Sequence, residues 1–334
     1  MFFAISLRPV GVGRRRNKTT AGRRAFMVKQ PPHMETSIIP ESFRKFEIPG
    51  RVTFAEGNGR LPKINIHTAR STAEIYLHGA HVTAFQKSGE PPLLFVSRLS
   101  KFAADQPIRG GVPICFPWFG ARPGDATHGL ARILRWEPVE TAAAPDGIVT
   151  LRLRLPKTSL KPEWSPLHTE FVVTVSDMLR MELVTVNESA DKTLELENCL
   201  HTYFHVGDIT AVALTGLSGA PFLDFAAGAD GVRQVEKDSR LSIVRETNRV
   251  YPDSPGPVEI HDEPLKRTIR VEKSGSASTV VWNPWTTQKL PDDFDPPEYR
   301  QMVCVESGNV KQNRISLAPG KSTVLRVTYS SRPG

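Results

Sequence analysis

The stretch Val149–Leu155 reads Val-Thr-Leu-Arg-Leu-Arg-Leu, so its apolar and polar side chains alternate strictly. Successive side chains of a β-strand point to opposite faces, and this pattern therefore predicts a strand with one buried and one solvated face. Leu179–Leu183 and Leu194–Glu197 alternate in the same way. Shorter runs rich in β-forming residues are Lys63–His67, Glu74–His78, Phe171–Val175, Thr279–Trp282, Met302–Val305 and Val324–Tyr329.

Helical patterns are few and short. Pro40–Phe46 and Ser97–Phe102 are the best candidates, and the 28 prolines interrupt most of the longer windows. Many short strands separated by turn signals predict an all-β fold, either a sandwich or a barrel. No linker divides the body of the chain, so we predict a single domain over residues 35–334.

The net charge of +8 belongs to the N-terminal segment. Residues 1–34 hold eight Lys and Arg and no Asp or Glu, whereas the rest of the chain has 35 basic and 35 acidic residues. A neutral body lacks the basic face that binds a nucleic-acid backbone, so we expect no nucleic-acid partner. We predict a disordered basic extension, or a true start at Met27 or Met34. The Arg-rich, acid-free composition also resembles a transit peptide, which leaves organelle import as the alternative.

Cysteine usage and hydropathy bear on the compartment. Cys115, Cys199 and Cys304 are widely spaced and form no C-x-x-C pair, which suits a reducing compartment and small core residues. No apolar run reaches the ~18 residues of a membrane span, so we expect no membrane partner. We predict a cytoplasmic monomer.

Four segments depart from the plain pattern of strands and turns. They are Pro-Ile-Arg-Gly-Gly-Val-Pro-Ile-Cys-Phe-Pro-Trp-Phe-Gly at 107–120, His-Gly-Leu-Ala-Arg at 128–132, Leu-His-Thr-Tyr-Phe-His-Val-Gly-Asp at 200–208 and Met-Val-Cys-Val-Glu-Ser-Gly-Asn at 302–309. Together they resemble the aldose 1-epimerase (galactose mutarotase) superfamily, and within it the hexose-6-phosphate mutarotase branch. The resemblance runs from about Arg51 to Tyr329 and implies a large antiparallel β-sandwich, in agreement with the period of two.

The resemblance also implies a reaction, the interconversion of the α and β anomers of a hexose 6-phosphate, with glucose 6-phosphate as the expected sugar. Ring opening needs a base at the anomeric hydroxyl and an acid at the ring oxygen, and it needs neither a cofactor nor a metal. His201 matches the acid of the family, and an imidazole can both donate and accept a proton near neutral pH. Glu306 matches the base, and its position after the apolar run Met302–Val305 predicts burial and a raised pKa.

The same strings supply candidates for binding the sugar phosphate. Arg109 and Arg132 are expected near the phosphate, because a guanidinium binds it with two parallel hydrogen bonds, and His128 is expected near the sugar. The alternative for each arginine is a structural ion pair. Aromatic side chains suited to stacking on the sugar are Trp118, Phe119, Trp282 and Trp285, with core filling as their alternative.

One position departs from the pattern of the branch, which has Asp before Arg-Val-Tyr where this chain has Asn248. An amide can hydrogen-bond a sugar hydroxyl, but it cannot stabilise a protonated imidazole by its charge. Asn248 is therefore predicted to contact substrate, and Asp208 or Asp224 could supply the missing carboxylate. Two other functions stay open at this stage: a non-catalytic sugar-phosphate-binding protein, and an epimerase of unphosphorylated hexose. A glycoside hydrolase would usually need a second carboxylate across the sugar, and only Glu306 is nominated.

Overall fold

Antiparallel strands form most of the regular structure in the computed structural model, which describes residues 39–334. The strands are β1 (Val52–Glu56), β2 (Pro62–His67), β3 (Ser71–Tyr76), β4 (His81–Lys87), β5 (Ile114–Cys115), β6 (Glu137–Ala143), β7 (Val149–Leu155), β8 (Leu167–Val175), β9 (Leu179–Asn187), β10 (Leu194–Leu196), β11 (Asn198–Leu200), β12 (Tyr203–His205), β13 (Val212–Thr215), β14 (Pro221–Asp224), β15 (Val232–Val235), β16 (Leu241–Ser242), β17 (Thr247–Tyr251), β18 (Val258–Asp262), β19 (Arg267–Ser274), β20 (Ser278–Asn283), β21 (Met302–Asn309), β22 (Ile315–Leu317) and β23 (Ser322–Pro333). The 3-10 helices are Glu41–Phe46, Asn58–Arg60, Ala131–Ile133, Lys157–Ser159, Ile209–Ala211, Pro296–Gln301 and Lys311–Asn313.

Two large sheets carry the fold. One has nine strands in the order β16-β13-β18-β19-β23-β9-β8-β7-β6. The other has eight strands, with β15-β14-β17-β20-β21-β11-β5 in order and β12 also paired with β21. Two smaller sheets, β1-β2-β3-β4 and β10-β22, complete the strand pairing. The antiparallel pairing of neighbours fits the alternating sequence, because each strand then has one face toward a core.

The two large sheets pack against each other through one face of each. Phe204 on β12 contacts Tyr329 on β23 edge-to-face, with ring centroids 4.9 Å apart, and the Thr202 hydroxyl hydrogen-bonds the Tyr329 hydroxyl. Val303 and Val305 on β21 belong to the same buried cluster as Leu325 on β23. Because side chains alternate along a strand, the residues between them on β12 and β21 point to the opposite face of the eight-stranded sheet.

The prediction of a large antiparallel β-sandwich with few short helices is confirmed. The helix predicted at Pro40–Phe46 is the 3-10 helix Glu41–Phe46. The helix predicted at Ser97–Phe102 is wrong. There the Ser97 amide donates to the carbonyl of Arg109 and the Ser97 hydroxyl donates to Glu298, so the backbone is used in long-range contacts instead of a helical ladder.

Residues 39–334 fall within one compact unit by their internal contacts. The predictions of a disordered extension over residues 1–34 and of an alternative start at Met27 or Met34 lie outside the described residues. Between residues 39 and 334, no helix is long and apolar enough to cross a membrane.

Candidate active site

The eight-stranded sheet brings His201 and Glu306 together as a cross-strand pair. Leu200 on β11 is opposite Ser307 on β21, and Tyr203 on β12 is opposite Cys304. The two pairings share one register, so His201, which lies between β11 and β12, is opposite Glu306. Directly opposite side chains of an antiparallel pair lie on the same face of the sheet. Residues from distant parts of the chain are thus held side by side by backbone pairing.

The two side chains are close and buried. Nε2 of His201 lies 3.3 Å from Oε1 of Glu306, and their side chains are 10% and 1% exposed. Burial raises the pKa of the Glu306 carboxyl well above its ordinary value. Burial, together with the positive charges of Arg132 and Arg109, lowers the pKa of His201 to about 3. Both directions follow from the cost of charge in a medium of low polarity.

Aromatic rings fix the orientation of the His201 imidazole. It stacks on Tyr203 with a centroid distance of 4.9 Å and an interplanar angle of 12°. His128 and Trp282 pack against it edge-on, with ring centroids 5.4 Å and 6.1 Å from the centroid of His201. Trp282 is itself held by a hydrogen bond of 3.0 Å from its Nε1 to Oε1 of Gln288. The imidazole is therefore restrained on three sides before any ligand binds.

Above this pair lies a cleft of about 570 Å³. This volume is in the range of small-molecule sites. Of the predicted site residues, those that line it are Arg109, His128, Arg132, His201, Asn248, Trp282 and Glu306, together with Phe119. Positive charge exceeds negative charge along the lining, because Lys289 and Lys311 add to the two arginines, while Asp105 and Glu306 are the carboxylates.

Arg109 has a carboxylate partner. Its Nε and Nη2 donate to the two oxygens of Asp293, both at 3.2 Å, in a bidentate pair. The backbone amide of Arg109 is fixed by the Ser100 hydroxyl at 2.8 Å. The structural alternative considered for this arginine, an ion pair, is therefore present, while the side chain still lines the cleft.

Arg132 has no such partner. The residue is only 8% exposed, its Nη2 donates to the Thr127 carbonyl at 2.6 Å, and its Nε makes no hydrogen bond. Within residues 39–334 no carboxylate lies in ion-pair range of its guanidinium. Burial lowers the pKa of this guanidinium, as expected for a desolvated cation. An unpaired buried cation at a cleft wall favours an anionic ligand.

His128 is held in one tautomer by its own loop. Its Nδ1 accepts the Gly120 amide at 3.2 Å, so the neutral ring carries its proton on Nε2. Burial first, and then the charge of His201, lowers its pKa well below the ordinary value and keeps it neutral. Its φ of 63° lies in the left-handed region, a strained conformation for a residue with a side chain.

A buried carboxylate joins two walls of the cleft. Oε2 of Glu197 accepts the Phe119 amide at 3.0 Å, and Oε1 accepts the Lys311 amide at 2.6 Å. Glu197 is 5% exposed and lies between β10 and β11, directly behind these loops. Both carboxyl oxygens of Glu197 thus accept backbone donors, and they link the segments that carry Phe119 and Lys311.

Two predicted stacking residues do not line the cleft. Trp118 packs on Trp164 at 5.1 Å, is covered by Arg122, and donates from Nε1 to the Ala126 carbonyl. Trp285 packs on Tyr299 at 5.2 Å. Phe119 lines the cleft, whereas Trp118 and Trp285 do not, so the structure does not bring these two indoles to the site where stacking on the sugar was expected.

Asn248 lines the cleft, opposite Trp282 in the pairing of β17 with β20. The two carboxylates suggested as substitutes do not. Asp208 caps the 3-10 helix Ile209–Ala211, and Asp224 accepts the Ala226 amide at 3.0 Å. Among the described residues that line the cleft near Asn248, no carboxylate therefore takes the place of the aspartate that the hexose-6-phosphate mutarotase branch has at this position.

Sequence reasoning missed several lining residues, chiefly Tyr203, Gln288, Lys289 and Lys311. Tyr203 could have been found, because it lies two residues from His201 and shares its face of the strand. Gln288 and Lys289 lie in a loop and Lys311 begins a short 3-10 helix, and in neither segment does a periodicity indicate side-chain direction. Asp293, which pairs with Arg109, is 184 residues distant from it and left no local signal.

One group of side chains has the composition of a metal site. Donor atoms of His201, Cys304 and Glu306 lie within 4.8 Å of one another, and no further protein ligand joins them among the described residues. Burial raises the pKa of the Cys304 thiol well above its ordinary value, which opposes the thiolate that a metal requires. The charges of Arg109 and Arg132 further disfavour a cation here, so we assign no metal to this group.

The antiparallel sandwich, with a polar cleft on the outer face of one sheet, places the chain among the galactose mutarotase-like β-sandwich proteins. The chain belongs to the aldose 1-epimerase family, which it matches over residues 62–330. It is therefore an enzyme of the isomerase class, and its reaction is the epimerisation of an aldose at the anomeric carbon.

Individual relatives support this placement. A protein of Cenchrus ciliaris named "Putative glucose-6-phosphate 1-epimerase" is 33% identical over 286 residues, covering 82% of this chain and 85% of that one. A protein of the same name from Escherichia coli strain K12 is 32% identical over 248 residues, covering 72% and 81%. The crystal structure of a "putative mutarotase (YeaD)" from Salmonella typhimurium matches with a TM-score of 0.75 at 26% identity, covering 86% and 96%.

Proposed function

We propose that the enzyme interconverts the α and β anomers of a hexose 6-phosphate, with glucose 6-phosphate as substrate, by acid–base chemistry of His201 and Glu306. The observation that carries this proposal is the 3.3 Å separation of His201 Nε2 and Glu306 Oε1 at the floor of the cleft. Further support comes from the name that two relatives share, which specifies the 6-phosphate.

The proposed step moves two protons and breaks one bond. The Glu306 carboxylate takes the proton of the anomeric hydroxyl while His201 Nε2–H gives a proton to the ring oxygen, and the bond from C1 to that oxygen breaks. The aldehyde rotates about its C1–C2 bond. Reversal of both transfers closes the ring on the other face of C1, and each group regains its starting state.

The protonation states of Glu306 and His201 suit this step. A raised pKa at Glu306 and a lowered one at His201 favour the proton on the carboxyl when the cleft holds no anion. Arg132 and Arg109 contribute to the low pKa of His201. A phosphate beside these guanidiniums offsets their charge, raises the pKa of His201, and so favours the carboxylate–imidazolium form that the reaction starts from.

The phosphate is assigned to Arg132 and Arg109, and the sugar to His128, Asn248 and Trp282. Arg132 is the primary anion ligand because its Nε is buried without a hydrogen-bond partner. The Nε2–H of His128 is free to donate to a sugar hydroxyl, since Nδ1 is already used by Gly120. Trp282 offers an indole beside His201.

Magnetisation-exchange NMR on glucose 6-phosphate tests the function directly. We expect the enzyme to speed exchange between the α and β anomeric signals of glucose 6-phosphate far more than between those of glucose. Faster exchange of free glucose would shift the assignment to an epimerase of unphosphorylated hexose. Binding of either sugar without faster exchange would contradict catalysis by this cleft.

Asn248→Asp tests the departure at the position where the branch has aspartate. A carboxylate in the same cleft favours the protonated imidazole, so the pKa of His201 should rise by about one unit. Because the acid must be protonated, the high-pH limit of kcat should move upward by a similar amount. The measurements are an NMR titration of the His201 ring and a pH–rate profile; a wild-type pKa in the variant would remove Asn248 from the vicinity of the acid.

A further inference from the structure

The Glu306 carboxyl is held differently at its two oxygens. Oε1 lies near His201, whereas Oε2 accepts the Cys199 thiol at an Sγ–Oε2 distance of 3.5 Å. Among residues 39–334, this thiol is the hydrogen-bond donor found at the Glu306 side chain. Cys199 is fully buried, as is Glu306. The contact therefore belongs to the interior of the site, and solvent does not compete for it.

The sheet provides a reason why the thiol can reach the carboxyl. Cys199 on β11 is opposite Gly308 on β21, and Glu306 is the diagonal neighbour two residues before that glycine. A Cβ at position 308 would lie 2.7 Å from the Cys199 Cβ and 2.4 Å from the Asn198 carbonyl oxygen. Only glycine fits there, and the absence of a side chain at position 308 leaves room for the Cys199 side chain to contact Glu306.

We propose that Cys199 is a positioning residue: its thiol fixes Oε2 of Glu306, so that Oε1 is the oxygen presented to His201 and to the sugar. This inference rests on the proposed function, since it assigns a role toward the proposed base. It replaces the simpler view of Cys199 as a core-filling residue.

The thiol suits the task because it stays protonated. Burial raises the pKa of Cys199 well above its ordinary value, so the S–H group remains a donor wherever the enzyme works. A donor to a carboxylate stabilises the charged form, and it thereby opposes the effect of burial on Glu306. Cys199 thus makes the ionised form of Glu306 more accessible at neutral pH, and it does so without adding a charge to the cleft.

The test uses two substitutions of Cys199 and one control. Cys199→Ala removes the donor, and Cys199→Ser keeps a hydroxyl donor at the same place. Cys115→Ala is the matched control, because Cys115 is the partner of Cys199 on β5 and is also a fully buried thiol. For each variant, kcat and kcat/KM for glucose 6-phosphate are measured against pH, with the melting temperature recorded alongside.

In Cys199→Ala, the low-pH limit of kcat should move upward by about one unit, because the base loses the bond that stabilises its charged form. At neutral pH, kcat should fall about tenfold with KM nearly unchanged. Cys199→Ser should restore most of the rate and place the limit at or below the wild-type value. Cys115→Ala should keep the wild-type profile even where its melting temperature falls.

A wild-type profile in Cys199→Ala, or an equal shift in Cys115→Ala, would overturn the inference. If Cys199→Ala fails to fold, Cys199→Ser decides the matter. A tenfold loss of kcat in Cys199→Ser, with the low-pH limit of kcat at its wild-type value, would also overturn the inference. These outcomes are distinct from failure of the proposed function, which would show as absence of rate enhancement in the wild-type enzyme itself.

Discussion

Glu306→Gln is expected to reduce the rate of anomer exchange by about 10²–10⁴-fold, the usual contribution of a general base. The amide has nearly the same shape as the carboxylic acid, and its oxygen can still accept the Cys199 thiol. It cannot take a proton from the anomeric hydroxyl. Affinity for glucose 6-phosphate should therefore change little, because the groups assigned to the phosphate and the sugar are untouched. Exchange NMR gives the rate, and calorimetry gives the affinity.

Asp105→Asn is the matched control for this loss. Asp105 is the other carboxylate that lines the cleft among the described residues, and it lies outside the His201–Glu306 pair. The control should retain the rate within a few-fold. Equal losses in both variants would point to a general effect of cleft charge, and an active Glu306→Gln enzyme would assign the base elsewhere. Affinity retained without exchange in the wild type would favour the non-catalytic sugar-phosphate-binding alternative, against the family assignment.

Arg132→Met should separate function from stability. Loss of the proposed phosphate contacts is expected to lower kcat/KM for glucose 6-phosphate by about 10²-fold, since hydrogen bonds to charged groups contribute about 1.5–3 kcal/mol each. The free energy of unfolding should instead rise by about 1–2 kcal/mol, because the substitution removes a buried cation that lacks a carboxylate partner. Steady-state kinetics and urea unfolding measure the two effects.

Arg122→Met is the control, since Arg122 covers Trp118 and pairs with Asp125 outside the cleft. It should leave KM for glucose 6-phosphate unchanged without raising stability. Inorganic phosphate should raise the melting temperature of the wild type and not that of Arg132→Met. A destabilised Arg132→Met protein with normal kinetics would assign this arginine to structure.

The fold could be predicted from sequence because its cause is local. Strict alternation in Val149–Leu155 indicates which face of a strand is buried, and the observed strand β7 has the same bounds as this stretch. The candidate pair could be nominated, but its geometry could not. The meeting of His201 with Glu306 depends on the register of β11 and β12 against β21, which pairs residues more than a hundred positions apart.

The errors have physical causes of the same kind. Trp118 and Phe119 are neighbours in sequence, yet only the second lines the cleft, because Trp118 packs on Trp164 and donates from Nε1 to the Ala126 carbonyl. Ser97–Phe102 has a helical pattern, but the Ser97 amide and hydroxyl bond to Arg109 and Glu298, and the segment forms a turn in which the Ser100 amide donates to the Ser97 carbonyl. Partners such as Asp293 come from loops, where no repeating pattern relates sequence to direction.

The division of the site between strands and loops has a consequence for its evolution. The groups proposed to transfer protons are held by the backbone ladder of one sheet, whereas Phe119, Gln288 and Lys311 reach the same cleft from connecting segments. Insertions or exchanges in those segments can reshape the rim for a differently substituted sugar while the ladder keeps the spacing of the reacting groups. A change of preferred sugar then requires no change in the strand pairing that holds His201 beside Glu306.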